Sequence, residues 1–134
     1  MRYLGIDYGL KKIGFALGDD ESSIAAPIEV IQNDGPDKVI KALNTLVQEE
    51  SIEAFVIGIP WRPEGLEESP QKKKNEDFAE LVKERIGLPV HLVNEQFTSV
   101  ESRRLQVEHG AGAKEDALAA MLILQEYLDG LRQG

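Results

Sequence analysis

The chain has 134 residues, a net charge of −9, 42% apolar and 29% charged residues, and no cysteine. One domain over 1–134 accounts for this size and would bury roughly two-thirds of the surface its unfolded chain exposes. The composition excludes disulfides, thiolate chemistry and a membrane-spanning helix of ~20 apolar residues, and the acidic balance argues against a non-specific nucleic-acid binder, which depends on Lys and Arg.

Residues 2–8 read as a buried strand running into Gly5-Ile6-Asp7-Tyr8-Gly9. Strand interiors disfavour both Asp and Gly. An acid flanked by glycines admits a ligand or a neighbouring backbone, and its carboxylate can hold a cation or a water. A tight turn whose Asp bonds its own backbone is the plainer account. Leu10-Lys11-Lys12 then leads to a second strand over 12–18. Asp19-Asp20-Glu21-Ser22 makes the next turn, and a third strand, Ile24 to Ile31, is broken by Pro27.

At Gly35-Pro36-Asp37 the period changes to that of a helix, with Val39, Ile40, Leu43, Leu46 and Val47 as its apolar stripe. Ala54 to Gly58 is continuously apolar, as a strand covered on both faces should be. A loop rich in Pro, Glu and Gly (61–70) precedes a helix with Phe78, Leu81, Val82 and Ile86 on one side and Gly87 as its stop. Val90 to Val93 is the next strand. Thr98 and Glu101 form a T-x-x-E box opening a short helix that ends at Gly110, and a last helix runs from about Lys114 to Leu131. Three strands followed by strand–helix alternation predict an α/β fold, with an antiparallel hairpin on a parallel core. The first fifteen residues read as strand and turn, not as a signal peptide, and the lack of cysteine fits a reducing, cytoplasmic setting.

In such sheets ligands bind beyond the carboxyl ends of the parallel strands. Asp7, the Gly58-Ile59-Pro60 corner and Glu95 fall on that edge, with His91, Val93 and Glu95 on one side of their strand. A third acid, Asp116, shares a helix face with Ala119, Ala120, Ile123 and Tyr127; first-turn Asp residues also serve the helix dipole, a role Glu115 already fills. At ~5 Å and an effective dielectric near 20, each pair of carboxylates repels by about 3 kcal/mol. A hard divalent cation relieves this, and oxygen-only ligands favour Mg²⁺ or Mn²⁺. Asp19, Asp20 and Glu21 belong to the opposite end of the sheet as a solvated turn. His91 reads as a satisfied core or edge residue and His109 as a helix-end cap. Lys11, Lys12, Arg62, Lys72, Lys73, Lys74, Arg103, Arg104 and Lys114 lie in loops or helix starts near the acids. Trp61 is placed to stack on an unpaired base or to sit half-buried beneath its loop.

Four segments, Gly5 to Ala16, Val56 to Pro60 with Gly65, Asn94 to Ser99, and Asp116 to Ala120 followed by Ile123-Leu124-Gln125, resemble in order the YqgF family of Holliday-junction resolvases, also described as pre-16S rRNA nucleases. The resemblance implies a ribonuclease-H-like mixed five-stranded sheet with helices on both faces. It also implies a divalent-metal nuclease, using Mg²⁺ or Mn²⁺, that processes the 5′ end of the small-subunit rRNA precursor in the bacterial cytoplasm. By that match Asp7, Glu95 and Asp116 take the catalytic and metal-binding positions. Independently of it, the placement of Lys11, Lys12, Trp61, Arg62, Lys72 to Lys74, Arg103 and Arg104 makes them the expected substrate-binding rim, with an ordinary solvated helix surface as the plainer account of Lys72 to Lys74. The chain departs from the family at Lys12, usually Arg, and at Asn94-Glu95-Gln96, usually D-E-R. Gln96 removes a fork-shaped phosphate donor.

Three further accounts remain at this stage. Branched DNA is the alternative substrate within the same chemistry, since recognition through phosphates and shape leaves little local signature. A non-catalytic RNA-binding module would keep the fold without activity. A sugar-kinase-like phosphate binder begins with a similar D-x-G hairpin but needs a second domain for which 134 residues leave no room. The assembly is expected to be a monomer or weak homodimer, with nucleic acid as its partner and no membrane association.

Overall fold

The computed structural model describes residues 1–60, 70–95 and 115–133. Trp61, Arg62, Gln96, Arg103, Arg104, His109 and the short helix expected between Thr98 and Gly110 lie outside the described residues.

Five strands, β1 (Arg2–Tyr8), β2 (Lys12–Asp19), β3 (Ala25–Gln32), β4 (Ala54–Pro60) and β5 (Val90–Glu95), form one sheet in the order β3-β2-β1-β4-β5. The β1–β2 and β2–β3 pairs are antiparallel, and β4 pairs in parallel with both β1 and β5. The expected hairpin on a parallel core is therefore present, with β1 at its centre. The break expected at Pro27 is milder than a break. β3 continues through it, and the register shifts opposite Phe15 and Ala16 so that Glu29 and Pro27 pair with those two residues. An edge strand tolerates a proline because the missing N–H need not face a partner.

Three described helices cover the sheet: α1 (Pro36–Glu50), α2 (Pro70–Ile86) and α3 (Glu115–Gln133). Pro36 opens α1, where its fixed φ suits the first turn, and Gly87 ends α2 at φ +81°. The period-two alternation of the strands sends Leu4, Ile6, Ile13, Phe15, Phe55 and Ile57 to one face, where they bury against Val39, Ile40 and Leu43 of α1 and Phe78 and Val82 of α2. The other face presents Tyr3, Ala16, Ala54 and Val56 to Leu118, Ala120, Ile123, Leu124 and Leu128 of α3. Helices thus lie on both faces.

That second face is built from small side chains, so α3 lies close to it. A Cβ on Gly5 would stand 2.7 Å from Leu124 Cβ and 2.8 Å from the Ala120 carbonyl oxygen. One on Gly14 would overlap the Asp116 carbonyl, and one on Gly58 would overlap Ile123 Cδ1. The middle of α3 is held by Gln125, whose Oε1 accepts from the Ala25 N–H at 3.0 Å while Nε2 donates to the Ser23 carbonyl at 2.7 Å.

Candidate active site

Alternation along β1 puts Tyr3, Gly5 and Asp7 on the α3 face and Leu4, Ile6 and Tyr8 on the other. Asp7 lies directly across the β1–β2 ladder from Gly14, which touches the Asp116 backbone. On the other flank, the β1–β4 pairing ends at Ile6–Ile57, so Gly58 lies next to Asp7. A Cβ on Gly58 would be 3.2 Å from Glu95 Oε2, and Glu95 is the β5 partner of Pro60. Two bare glycine positions thus flank Asp7, one beneath the start of α3 and one beneath the Glu95 carboxylate. β5 extends to Glu95, two residues beyond the expected Val93, because its pairing with β4 continues through Pro60.

All three acids are half-buried. Burial, followed by the charges of Glu95 and Asp116, pushes the Asp7 carboxyl up from its ordinary 3.8 to about 7. Burial also raises Glu95. The charges of both other acids act on Asp7, although among the described residues no three acids or histidines close into a ready-made metal-ligand set. The donors are oxygen-only and repel one another, a donor set that favours a hard divalent cation.

Around this edge the turn carrying Lys11 and Lys12 is fixed by its own backbone and by Asn33. The Gly9 N–H donates to the Lys12 carbonyl at 3.1 Å, the Asn33 N–H to the Lys11 carbonyl at 2.8 Å, and Asn33 Nδ2 to the Gly9 carbonyl at 2.9 Å. Both lysines are exposed. Lys72, Lys73 and Lys74 occupy the first turns of α2; Lys72 is half-buried, and Lys73 stands 3.9 Å from Asp77 in an exposed i,i+4 pair. Asp19, Asp20 and Glu21 lie at the opposite end, where Asp19 pairs with Arg2 in the sheet. Asp19 Oδ1 accepts the Ser22 N–H at 2.7 Å, which holds its carboxyl below the usual range. His91 stacks on Tyr127 with centroids 4.8 Å apart, an aromatic packing role away from the acids.

Sequence reasoning missed two residues, Asn75 and Gln71. Asn75 is 1% exposed, and its Nδ2 donates to the Gly58 carbonyl at 2.8 Å. Gln71 Nε2 donates to Asn75 Oδ1 at 2.6 Å and reaches the Tyr8 carbonyl at 3.3 Å. The signal was spacing. Asn75 precedes Phe78, Ala79 and Val82 by three, four and seven residues, which places it on the buried stripe of a helix whose start otherwise reads as charged surface.

The RuvX family, described as Holliday junction resolvase, matches residues 1–130. The chain belongs to the RuvX (YqgF) family. A RuvX relative from Paraburkholderia phytofirmans, provisionally named a pre-16S rRNA nuclease, is 37% identical over 130 residues, covering 96% of this chain and 88% of its own. Among solved structures, Thermus thermophilus RuvC in complex with a Holliday junction substrate superposes at a TM-score of 0.64 with 13% identity, covering 100% of this chain and 97% of that one. Fowlpox virus resolvase with Holliday junction DNA superposes at 0.62 with 13% identity, covering 98% and 99%. These likenesses show the fold, which is ribonuclease-H-like. As a RuvX protein the chain is a nuclease, a hydrolase of phosphodiester bonds. Among the described residues no helix is long and apolar enough to cross a membrane.

Proposed function

We propose that this RuvX protein is a divalent-metal-dependent nuclease that trims the 5′ end of the small-subunit rRNA precursor in the cytoplasm, as a monomer or weak homodimer. The observation that carries the reading is Asp7, a half-buried carboxyl on the central strand whose ionisation is suppressed by burial and by two further acids. Such a grouping is unfavourable for folding and is relieved by a cation. Asp7, Glu95 and Asp116 would hold Mg²⁺ or Mn²⁺, which supplies charge neutralisation at the phosphodiester and activation of the attacking water.

The protein's own groups account for the rest. Asp7 and Glu95 sit on strands, so their positions are set by the sheet ladder. Asp116 is set by the contact of its backbone with Gly14. Lys11 and Lys12, on a turn held by Asn33, would take phosphates on one side of the acids, and Lys72 to Lys74 on the other, orienting the chain across the edge. Trp61, Arg62, Arg103 and Arg104, outside the described residues, are further candidate substrate contacts in this reading. The names of the curated relatives support RNA as substrate. A second reading, cleavage of branched DNA, is favoured by the family description and rests on the same acids.

The test is incubation of the purified protein with a 5′-extended small-subunit rRNA precursor and with a four-way DNA junction, each with and without Mg²⁺ or Mn²⁺. Metal-dependent shortening of the precursor is expected. Cleavage of the junction alone would transfer the proposal to branched DNA. Binding of either substrate without cleavage under any metal condition would leave a nucleic-acid-binding module in its place.

A further inference from the structure

The amide pair Gln71–Asn75 does more than fill space in α2. Pairing between β1 and β4 stops at Ile6–Ile57, just before Asp7 and Gly58. The carbonyls of Tyr8 and Gly58, one on each strand beyond that point, both receive side-chain donors from the same helix. Asn75 uses both ends of its amide, donating to Gly58 while accepting from Gln71, so its orientation is fixed from two sides. It is almost wholly buried, one of two polar residues in that state among the described residues. The Gly58 residue it holds lies beneath the Glu95 carboxylate, which a Cβ there would approach to 3.2 Å on the opposite face, and the Tyr8 carbonyl that Gln71 reaches follows Asp7 directly.

We propose that Asn75 and Gln71 are positioning residues, which fix the ends of β1 and β4 from the α2 side so that Asp7 and Glu95 stand at a set separation on the α3 side. An apolar side chain at position 75 would fill the same volume and satisfy the hydrophobic stripe equally well. It would leave the Gly58 carbonyl without a donor and its peptide free to tilt.

This inference rests on the metal-nuclease reading, and its test separates the two. The full chain is compared as parent, Asn75→Leu, Gln71→Leu and Val82→Ala. The last truncates a buried side chain of α2 that contacts the core and not the acid edge. Two quantities are read: the Mn²⁺ concentration giving half the maximal rise in melting temperature, and kcat and KM on the cleaved substrate at saturating Mn²⁺. Asn75→Leu should raise the Mn²⁺ requirement about fivefold or more and lower kcat about tenfold, with KM within about twofold. Gln71→Leu should do the same more weakly, and it carries the test if Asn75→Leu does not fold. Val82→Ala should lower the melting temperature while leaving both quantities within about twofold of the parent. If the amide variants behave like Val82→Ala, the positioning role is overturned and the nuclease reading stands. If the parent shows neither Mn²⁺ stabilisation nor cleavage, both fall together.

Discussion

Asp7 and Gly14 are direct partners across the β1–β2 ladder, and the bare Cα of Gly14 is where the backbone of Asp116 comes to rest. One glycine therefore sets how close the acid of α3 comes to the acid of the central strand. Gly14→Ala should displace the start of α3 and cost about 1–3 kcal/mol of stability, with a loss of cleavage that persists at temperatures where the variant is fully folded. Gly130→Ala, on an exposed turn of the same helix with nothing within 4 Å, should instead gain up to about 1 kcal/mol through helix propensity. Chemical denaturation of the pair should give opposite signs; equal, small effects would remove the close contact from the account.

Asp7→Asn should lower the cleavage rate at least ~10³-fold, about 4 kcal/mol of transition-state stabilisation. Asp19→Asn is the matched control at the far end of the sheet. It gives up part of a turn contact to Ser22 and should leave turnover unchanged. Turnover of Asp7→Asn within about threefold of the parent would remove Asp7 from the chemistry.

The raised carboxyl of Asp7 makes a statement about pH. A group whose pKa is higher in the folded chain than in the unfolded one stabilises the fold while protonated, and that contribution is lost as pH rises. The window runs from the ordinary 3.8 to about 7, and the raised Glu95 acts in the same direction. In chelator, the parent should melt lower at about pH 8 than at about pH 5.5, Asp7→Asn should lose most of that difference, and excess Mg²⁺ or Mn²⁺ should restore the parent at the higher pH. Thermal melts across this range decide it. A parent profile parallel to that of Asp7→Asn would mean that the acid edge carries no net strain.

Replacing Lys72, Lys73 and Lys74 together with Ala should reduce the slope of log affinity against log salt for RNA by about 2, the counterion release of three phosphate contacts. The exposed Lys73–Asp77 pair contributes little to stability, so the melting temperature should move little. An unchanged salt slope would make the run an ordinary solvated helix start.

How far the sequence carries can be seen residue by residue. Strand period located β1, β2, β4 and β5 within a few residues because their alternation or continuous apolarity is strong. Asp116 was assignable to the packing face of α3 from its spacing to Ala119, Ala120 and Ile123, and the last two are fully buried there. The extension of β5 to Glu95 was not legible, since Asn94 and Glu95 carry no strand propensity and are held by pairing to Ile59 and Pro60. The roles of Gly14 and Gly58 were equally hidden. A glycine in a strand announces a close approach, but which residue approaches is decided by a helix roughly sixty to a hundred residues away. Asn75 escaped notice because a polar residue within Lys72-Lys73-Lys74-Asn75-Glu76 reads as surface until its register with Phe78 is counted.

The contact between Gly14 and Asp116 also bears on the order in which the molecule comes together. β1 and β2 form a local hairpin with little loop to close, whereas Asp116 must reach it across about a hundred residues of chain. Until α3 docks, Asp7 lacks the cover of that helix and the neighbouring charge of Asp116, both of which act to suppress its ionisation. The acid edge is therefore a late product of folding: a partly folded chain can possess the whole hairpin and still lack the constellation.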